Sequence, residues 1–116
     1  MIWACVLPWP PKECSPNARP HWRKKADAVR GYKADCIVLL MAAGVRLMPV
    51  DRLQVQFTFR PKRAGRHDTD NMIASVKAAI DAVSFVTGVD DSRFDFRFLR
   101  GEPIKGGAVE VVISHV

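Results

Sequence analysis

The sequence predicts an α/β (α+β) domain, a small mixed sheet of about four strands carrying two main helices in the order β-α-β-α-β-β. Three observations lead there. Residues 51–60 (DRLQVQFTFR) alternate strictly between apolar and polar, the pattern of a half-buried strand. Residues 22–43 and 69–87 instead repeat their apolar positions every three or four residues, as helices do. Two more alternating runs close the chain. At 116 residues the whole of 1–116 makes one domain, long enough to bury a core without disulfides or a structural metal.

The elements follow in order. Residues 2–7 are a short apolar run that Pro8 closes, suiting a first strand. From Trp9 to His21 four prolines, with Ser15 and Asn17 between them, predict an ordered extended loop. The first helix begins near Trp22 or Arg23 and ends near Ala43, with Ala28, Tyr32, Cys36, Leu39 and Leu40 as its apolar stripe and Gly44 as its stop. Its second half, Cys36 to Met41, reads either as core or partly as an interface. After the 51–60 strand comes a basic loop, residues 61–67 (PKRAGRH). A single helix over 69–87 follows, with Met72, Val76, Ala79, Ile80 and Val83 facing the core and Gly88 ending it. The last two strands, 94–100 and 108–114, are joined by a connection with Pro103 and Gly106–Gly107, which predicts an antiparallel hairpin with a longer loop.

Composition narrows the function classes. Hydrophobic residues at 48% and charged residues at 26% are an ordinary globular mixture, which argues against extended disorder. The net charge of +6 and pI near 9.7 suit a polyanionic partner, though charge alone says nothing of mechanism. No strongly basic amphipathic helix suggests a membrane surface. Three cysteines without a C-x-x-C pair fit neither a disulfide framework nor a zinc site, and suit a reducing cytoplasm. The apolar opening lacks a basic n-region and is interrupted by Pro8, Pro10 and Pro11. It does not read as a signal peptide, and no run approaches transmembrane length. A soluble cytoplasmic protein is expected.

The basic side chains are clustered. Arg19, Arg23, Lys24 and Lys25 surround the start of the first helix, where they oppose its macrodipole, so helix stability does not explain them. Lys62, Arg63 and Arg66 fill the 61–67 loop. Both groups are candidates for phosphate contacts on DNA, which supply most of the affinity in such complexes. A solvated face is the ordinary alternative for each, and His67 reads as a phosphate contact or a plain loop residue.

The acidic side chains are clustered too. Five of twelve, Asp68, Asp70, Asp81, Asp90 and Asp91, lie between positions 68 and 91. One pair opens the second helix as D-T-D-N, and another follows its end as D-D. A helix of this length spans roughly 25 Å, so the D-D loop must fold back for the pairs to meet. Converging carboxylates repel and raise one another's pKa unless a cation neutralises them. All-oxygen ligands are what hard Mg²⁺ or Mn²⁺ prefers, and such an ion can activate water for phosphodiester hydrolysis. The ordinary reading is that Asp68 or Asp70 caps the helix and Asp90–Asp91 forms a turn; capping and metal binding are compatible. Asp70, Ala74, Lys77 and Asp81 share one helical face, where Lys77 either holds a phosphate oxygen or simply pairs with Asp81.

The ordered set of 7–11 (LPWPP), Ser15-x-Asn17-x-Arg19-x-His21-Trp22, Asp68-x-Asp70-Asn71, Lys77-Ala-Ala-x-Asp81-Ala, Gly88-Val-Asp90-Asp91 and Ile104-Lys-Gly-Gly107 resembles RusA-type Holliday junction resolvases, the crossover junction endodeoxyribonucleases. The resemblance covers nearly the whole chain. It implies a homodimeric endonuclease that resolves four-way (Holliday) junctions in double-stranded DNA by paired symmetric nicks, with Mg²⁺ or Mn²⁺ as cofactor. It implies metal-binding and catalytic roles for Asp68, Asp70 and Asp91, with Asp90 beside them, and matches Lys77 to the family's helix lysine. In some members that lysine sits one turn after D-x-D-N, where this chain has Ala74. A role in recombination and repair, or in phage or prophage DNA processing, is the expectation. The alternatives are a non-catalytic nucleic-acid-binding module and a structural phage protein whose acidic cluster only caps a helix.

Overall fold

The computed structural model describes residues 2–19, 21–65 and 68–115. Its chain order is β1 (Ile2–Pro8), α1 (Trp22–Ala42), β2 (Leu53–Arg60), α2 (Thr69–Ser75), α3 (Lys77–Thr87), β3 (Phe94–Arg100) and β4 (Ala108–His115), with short 3-10 turns at Lys12–Cys14 and Asp91–Arg93. The architecture is the expected mixed four-stranded sheet with helices. Among the described residues no helix is long and apolar enough to cross a membrane.

The sheet order is β1-β4-β2-β3. β2 lies between β4, which runs antiparallel to it, and β3, which runs parallel. This corrects the expected β3–β4 hairpin, because β2 is inserted between those two strands. The connecting loop instead wraps past the end of β2: Gly101 N–H donates to the Phe59 carbonyl at 2.8 Å, and Ile104 N–H to the Pro61 carbonyl at 2.9 Å. Alternation then places Leu53, Val55, Phe57 and Phe59 beside Val109, Val111 and Ile113 on one buried face. Phe98 stacks across the parallel pair on Phe57 at 5.8 Å, but Phe96, on the edge strand, stays 41% exposed.

The helices cover that buried face with the residues that periodicity selects. Tyr32, Cys36 and Leu40 of α1 are buried, and Tyr32 donates its hydroxyl proton to the Pro8 carbonyl at 2.7 Å. This bond ties α1 to the end of β1. Gly44, at φ 93, lets Val45 N–H bond the Leu40 carbonyl and close the helix.

The single helix expected over 69–87 is two. Val76, at φ −101 and ψ 14, separates α2 from α3. Its N–H is shared between the Met72 and Ile73 carbonyls at 3.3 and 3.2 Å, and the Ser75 hydroxyl donates to the Asn71 carbonyl at 2.7 Å. Serine back-bonding of this kind bends helices. The apolar stripe survives the break, since Met72, Val76, Ala79, Ile80 and Val83 are all buried.

Candidate functional site

Asp68 is the N-cap of α2, its Oδ1 accepting the Asp70 N–H at 2.9 Å. The capping role therefore holds, and it leaves the second carboxylate oxygen of this exposed residue available. Asp70 is exposed in the first helical turn, where a negative charge suits the macrodipole.

Beyond the other end of the helix pair, the chain is turned back by short side chains. Gly88 ends α3 in the left-handed conformation at φ 75, and the Ser84 hydroxyl donates to the Val89 carbonyl at 2.8 Å. Thr87 Oγ1 donates to the Val83 carbonyl and accepts the Val89 N–H. The loop so fixed delivers Asp91 to the first turn of α3. There the Lys77 ammonium donates to Asp91 Oδ2 at 2.8 Å and to Asp81 Oδ1 at 2.9 Å. Both carboxylates, Asp91 first, push the Lys77 pKa above the ordinary lysine range. All three groups remain substantially exposed, so each pair contributes about 0–1 kcal/mol, and the arrangement matters mainly for position. Asp90 has a different partner set: it caps the 3-10 turn, accepting from the Ser92 N–H and hydroxyl, which hold its carboxyl below the usual range.

The D-D loop folds back towards α3, but among the described residues the carboxylates group differently from the expected convergence. Asp91 meets Lys77 and Asp81, while Asp68 and Asp70 stay at the start of α2. Seven residues of helical rise separate Asp70 from Lys77 by about 10 Å. Among the described residues no three His, Cys, Asp or Glu side chains are placed together to hold a metal ion. The donor chemistry still fits a hard cation, which commonly takes one or two carboxylates and fills its other positions with water. Asp68 and Asp70 fit that pattern. Asp91 is placed to steady Lys77, and Asp90 to shape the turn.

Adjoining clefts connect these parts. One, of about 490 Å³, lies between the 9–17 loop and α2, with Trp9, Lys12, Asn17, Asp68, Asn71 and Ser75 among its walls. A second, of about 240 Å³, holds Lys25, Ser75, Lys77 and Asp81. Ser75 lines both, so the two clefts adjoin in one surface groove, with Asp68 in the first and Lys77 and Asp81 in the second. A third extends it past Lys12, Asn17, Arg19 and Lys24. Of the basic residues predicted to meet DNA, Arg19, Lys24 and Lys25 line the groove. Arg23 lies over the Trp22 ring at 5.3 Å, and Lys62 packs near Trp9 beside Gly107. Arg63 is exposed on its loop, and Arg66 and His67 lie outside the described residues.

Lys12 lines this site although charge clustering alone does not select it, whereas Asp81 was already one of the clustered aspartates. Lys12 stands apart from the other cations in sequence, and Asp81 looks like an ordinary i,i+4 partner. The signal for Lys12 was its place directly after LPWPP.

No protein-family model matches the chain. An uncharacterized protein of Xylella fastidiosa (strain Temecula1 / ATCC 700964) is 34% identical to it over 115 residues, covering 96% of this chain and 75% of that protein. With that identity over almost its whole length, the chain belongs to the same family as the Xylella protein.

Proposed function

We propose that this protein is a Mg²⁺-dependent, structure-selective DNA endonuclease that resolves four-way junctions, working as a homodimer in the cytoplasm during recombination, repair or phage DNA processing. The observation that carries the proposal is the pair of adjoining clefts that share Ser75, one lined by Asp68 and the other by Lys77, which is held between Asp81 and Asp91. Metal-suited carboxylates with a cation two helical turns further along suit phosphodiester hydrolysis, because charge develops on the phosphoryl oxygens and on the leaving oxygen. Asp68 and Asp70 would hold the ion, Mn²⁺ serving in place of Mg²⁺, and the ion when bound supplies an activated water and neutralises developing charge. Lys77 is set by its two carboxylates to meet a phosphate oxygen. Arg19, Lys24 and Lys25, with Lys12, draw the DNA backbone into the groove, and Lys62 and Arg63 extend the cationic surface. A two-fold dimer would present two such grooves to opposed strands of a junction with near two-fold symmetry.

The test is cleavage of an end-labelled synthetic four-way junction with Mg²⁺ or EDTA, by the wild type and by Asp70→Asn. Paired symmetric nicks that need both the metal and Asp70 are expected. Junction binding without any metal-dependent cut would instead make the protein a non-catalytic binding module, with Asp68 serving as a helix cap alone.

A further inference from the structure

The cleft beside Asp68 has a character that phosphate binding does not explain. Its apolar lining is Trp9 and Pro11, backed by the buried Phe59, Met72 and Val76. Its polar lining is Ser15, Asn17, Asn71 and Ser75, with the Ser75 hydroxyl donated to the Asn71 carbonyl. A phosphate gains nothing from the apolar walls, and the attraction of Lys12 is opposed by Asp68. A flat, neutral ring gains from both linings: its faces meet aromatic and aliphatic walls while its edge meets hydroxyl and amide groups. About 490 Å³ lies within the range of small-molecule pockets, roughly 300–1,000 Å³. The mouth is flanked by Lys12, which also lines the neighbouring basic stretch with Arg19 and Lys24, so a strand tracked by those cations passes the opening.

The wall is also built to stay in place. A Cβ added at Gly107 would lie 3.0 Å from Trp9 Cβ and 3.1 Å from Trp9 Cγ, so the bare glycine backbone is packed against this tryptophan. Pro10 beside it is buried, and Tyr32 holds the Pro8 carbonyl.

We infer that this cleft receives a single unstacked nucleobase from the bound DNA strand, next to the carboxylates that would act on its backbone. The inference rests on the nucleic-acid reading above and deepens it. A branch point is where a base leaves its stack at least cost, since unpairing and unstacking cost a few kcal/mol and least where pairing is already disrupted. Capture of one base would select branched DNA over intact duplex and fix which phosphodiester faces Asp68 and Asp70.

The experiment uses four-way junctions carrying 2-aminopurine at successive positions around the branch, with the Asp70→Asn protein in EDTA so that nothing is cut. One position is expected to change its fluorescence severalfold on binding, as that base leaves its neighbours. Two blocking variants are added to the Asp70→Asn background: Ser75→Phe, which fills the cleft from α2, and Asn17→Phe, which closes it from an exposed loop and leaves the core untouched. Each should abolish the change while junction affinity by gel shift falls no more than about tenfold, the scale of a lost stacking contact. Junction binding with no responsive position, or with a response that both folded variants retain, overturns the base pocket and leaves the nuclease reading intact. Failure to bind any junction overturns both.

Discussion

Asp68 has two tasks that can be separated at one atom. Its Oδ1 caps α2 through the Asp70 N–H, and its carboxylate charge is what a cation would bind. Asp68→Asn keeps a capping oxygen and removes the charge, whereas Asp68→Ala removes both. Asparagine and aspartate cap about equally well, and loss of a cap to alanine costs about 1 kcal/mol. We therefore expect urea midpoints of wild type and Asp68→Asn to coincide within error, with Asp68→Ala lower by an amount equivalent to about 1 kcal/mol. Metal-dependent cleavage should be lost in both variants. Equal activity in wild type and Asp68→Asn would leave this residue as a cap only. Sequence reading reached this ambiguity and stopped there, because an aspartate before a helix looks the same whichever task it performs. It also could not assign Asp91 to Lys77: the two are fourteen positions apart, and only the turn pinned by Ser84 and Thr87 brings them together.

At the scale of elements, periodicity identified faces and missed neighbours. The alternation of 108–114 puts Val109, Val111 and Ile113 on the buried side whether β4 pairs with β3 or with β2, so the run was legible and its partner was not. The Gly106–Gly107 pair invited a hairpin because both residues do adopt left-handed backbone, at φ 80 and φ 71. Their surroundings differ, and that difference predicts their mutants. A Cβ at Gly106 meets nothing within 4 Å, while one at Gly107 meets Trp9 and Lys62 within 3.2 Å. Gly106→Ala should therefore cost only the backbone penalty, about 1–2 kcal/mol. Gly107→Ala should cost more, because it also displaces Trp9, and it should shift tryptophan emission where Gly106→Ala does not. Matching stabilities and spectra for the two would show that the loop does not brace the wall of the cleft. The break at Val76 follows the same logic in reverse. Its stripe position was readable, but the bend depends on where the Ser75 hydroxyl donates, which spacing does not encode.

For the whole molecule, the net charge of +6 sets an expectation that basic composition alone leaves undirected. Lys12, Arg19, Lys24 and Lys25 line adjoining clefts, whereas Lys33 lies elsewhere, 5.9 Å from the Phe85 ring. If the four groove cations each neutralise one phosphate, counterion release gives log Kd a dependence on log salt of about 4 per protomer, near 0.9 for each contact. Junction titrations of the Asp70→Asn protein in EDTA, from low to physiological salt, would measure that slope. Lys24→Ala should lower it by about 1 for each occupied groove, and Lys25→Ala by the same amount. Lys33→Ala should leave it unchanged. Equal losses for Lys24→Ala and Lys33→Ala would mean that attraction comes from the overall charge and that the groove is not the path of the strand. Because no metal is present and the Asp70 charge is removed, this slope would report the track of the DNA backbone independently of any cleavage. A directed slope would show that α1 and the 9–19 loop guide the strand past Lys77 to the Asp68–Asp70 pair.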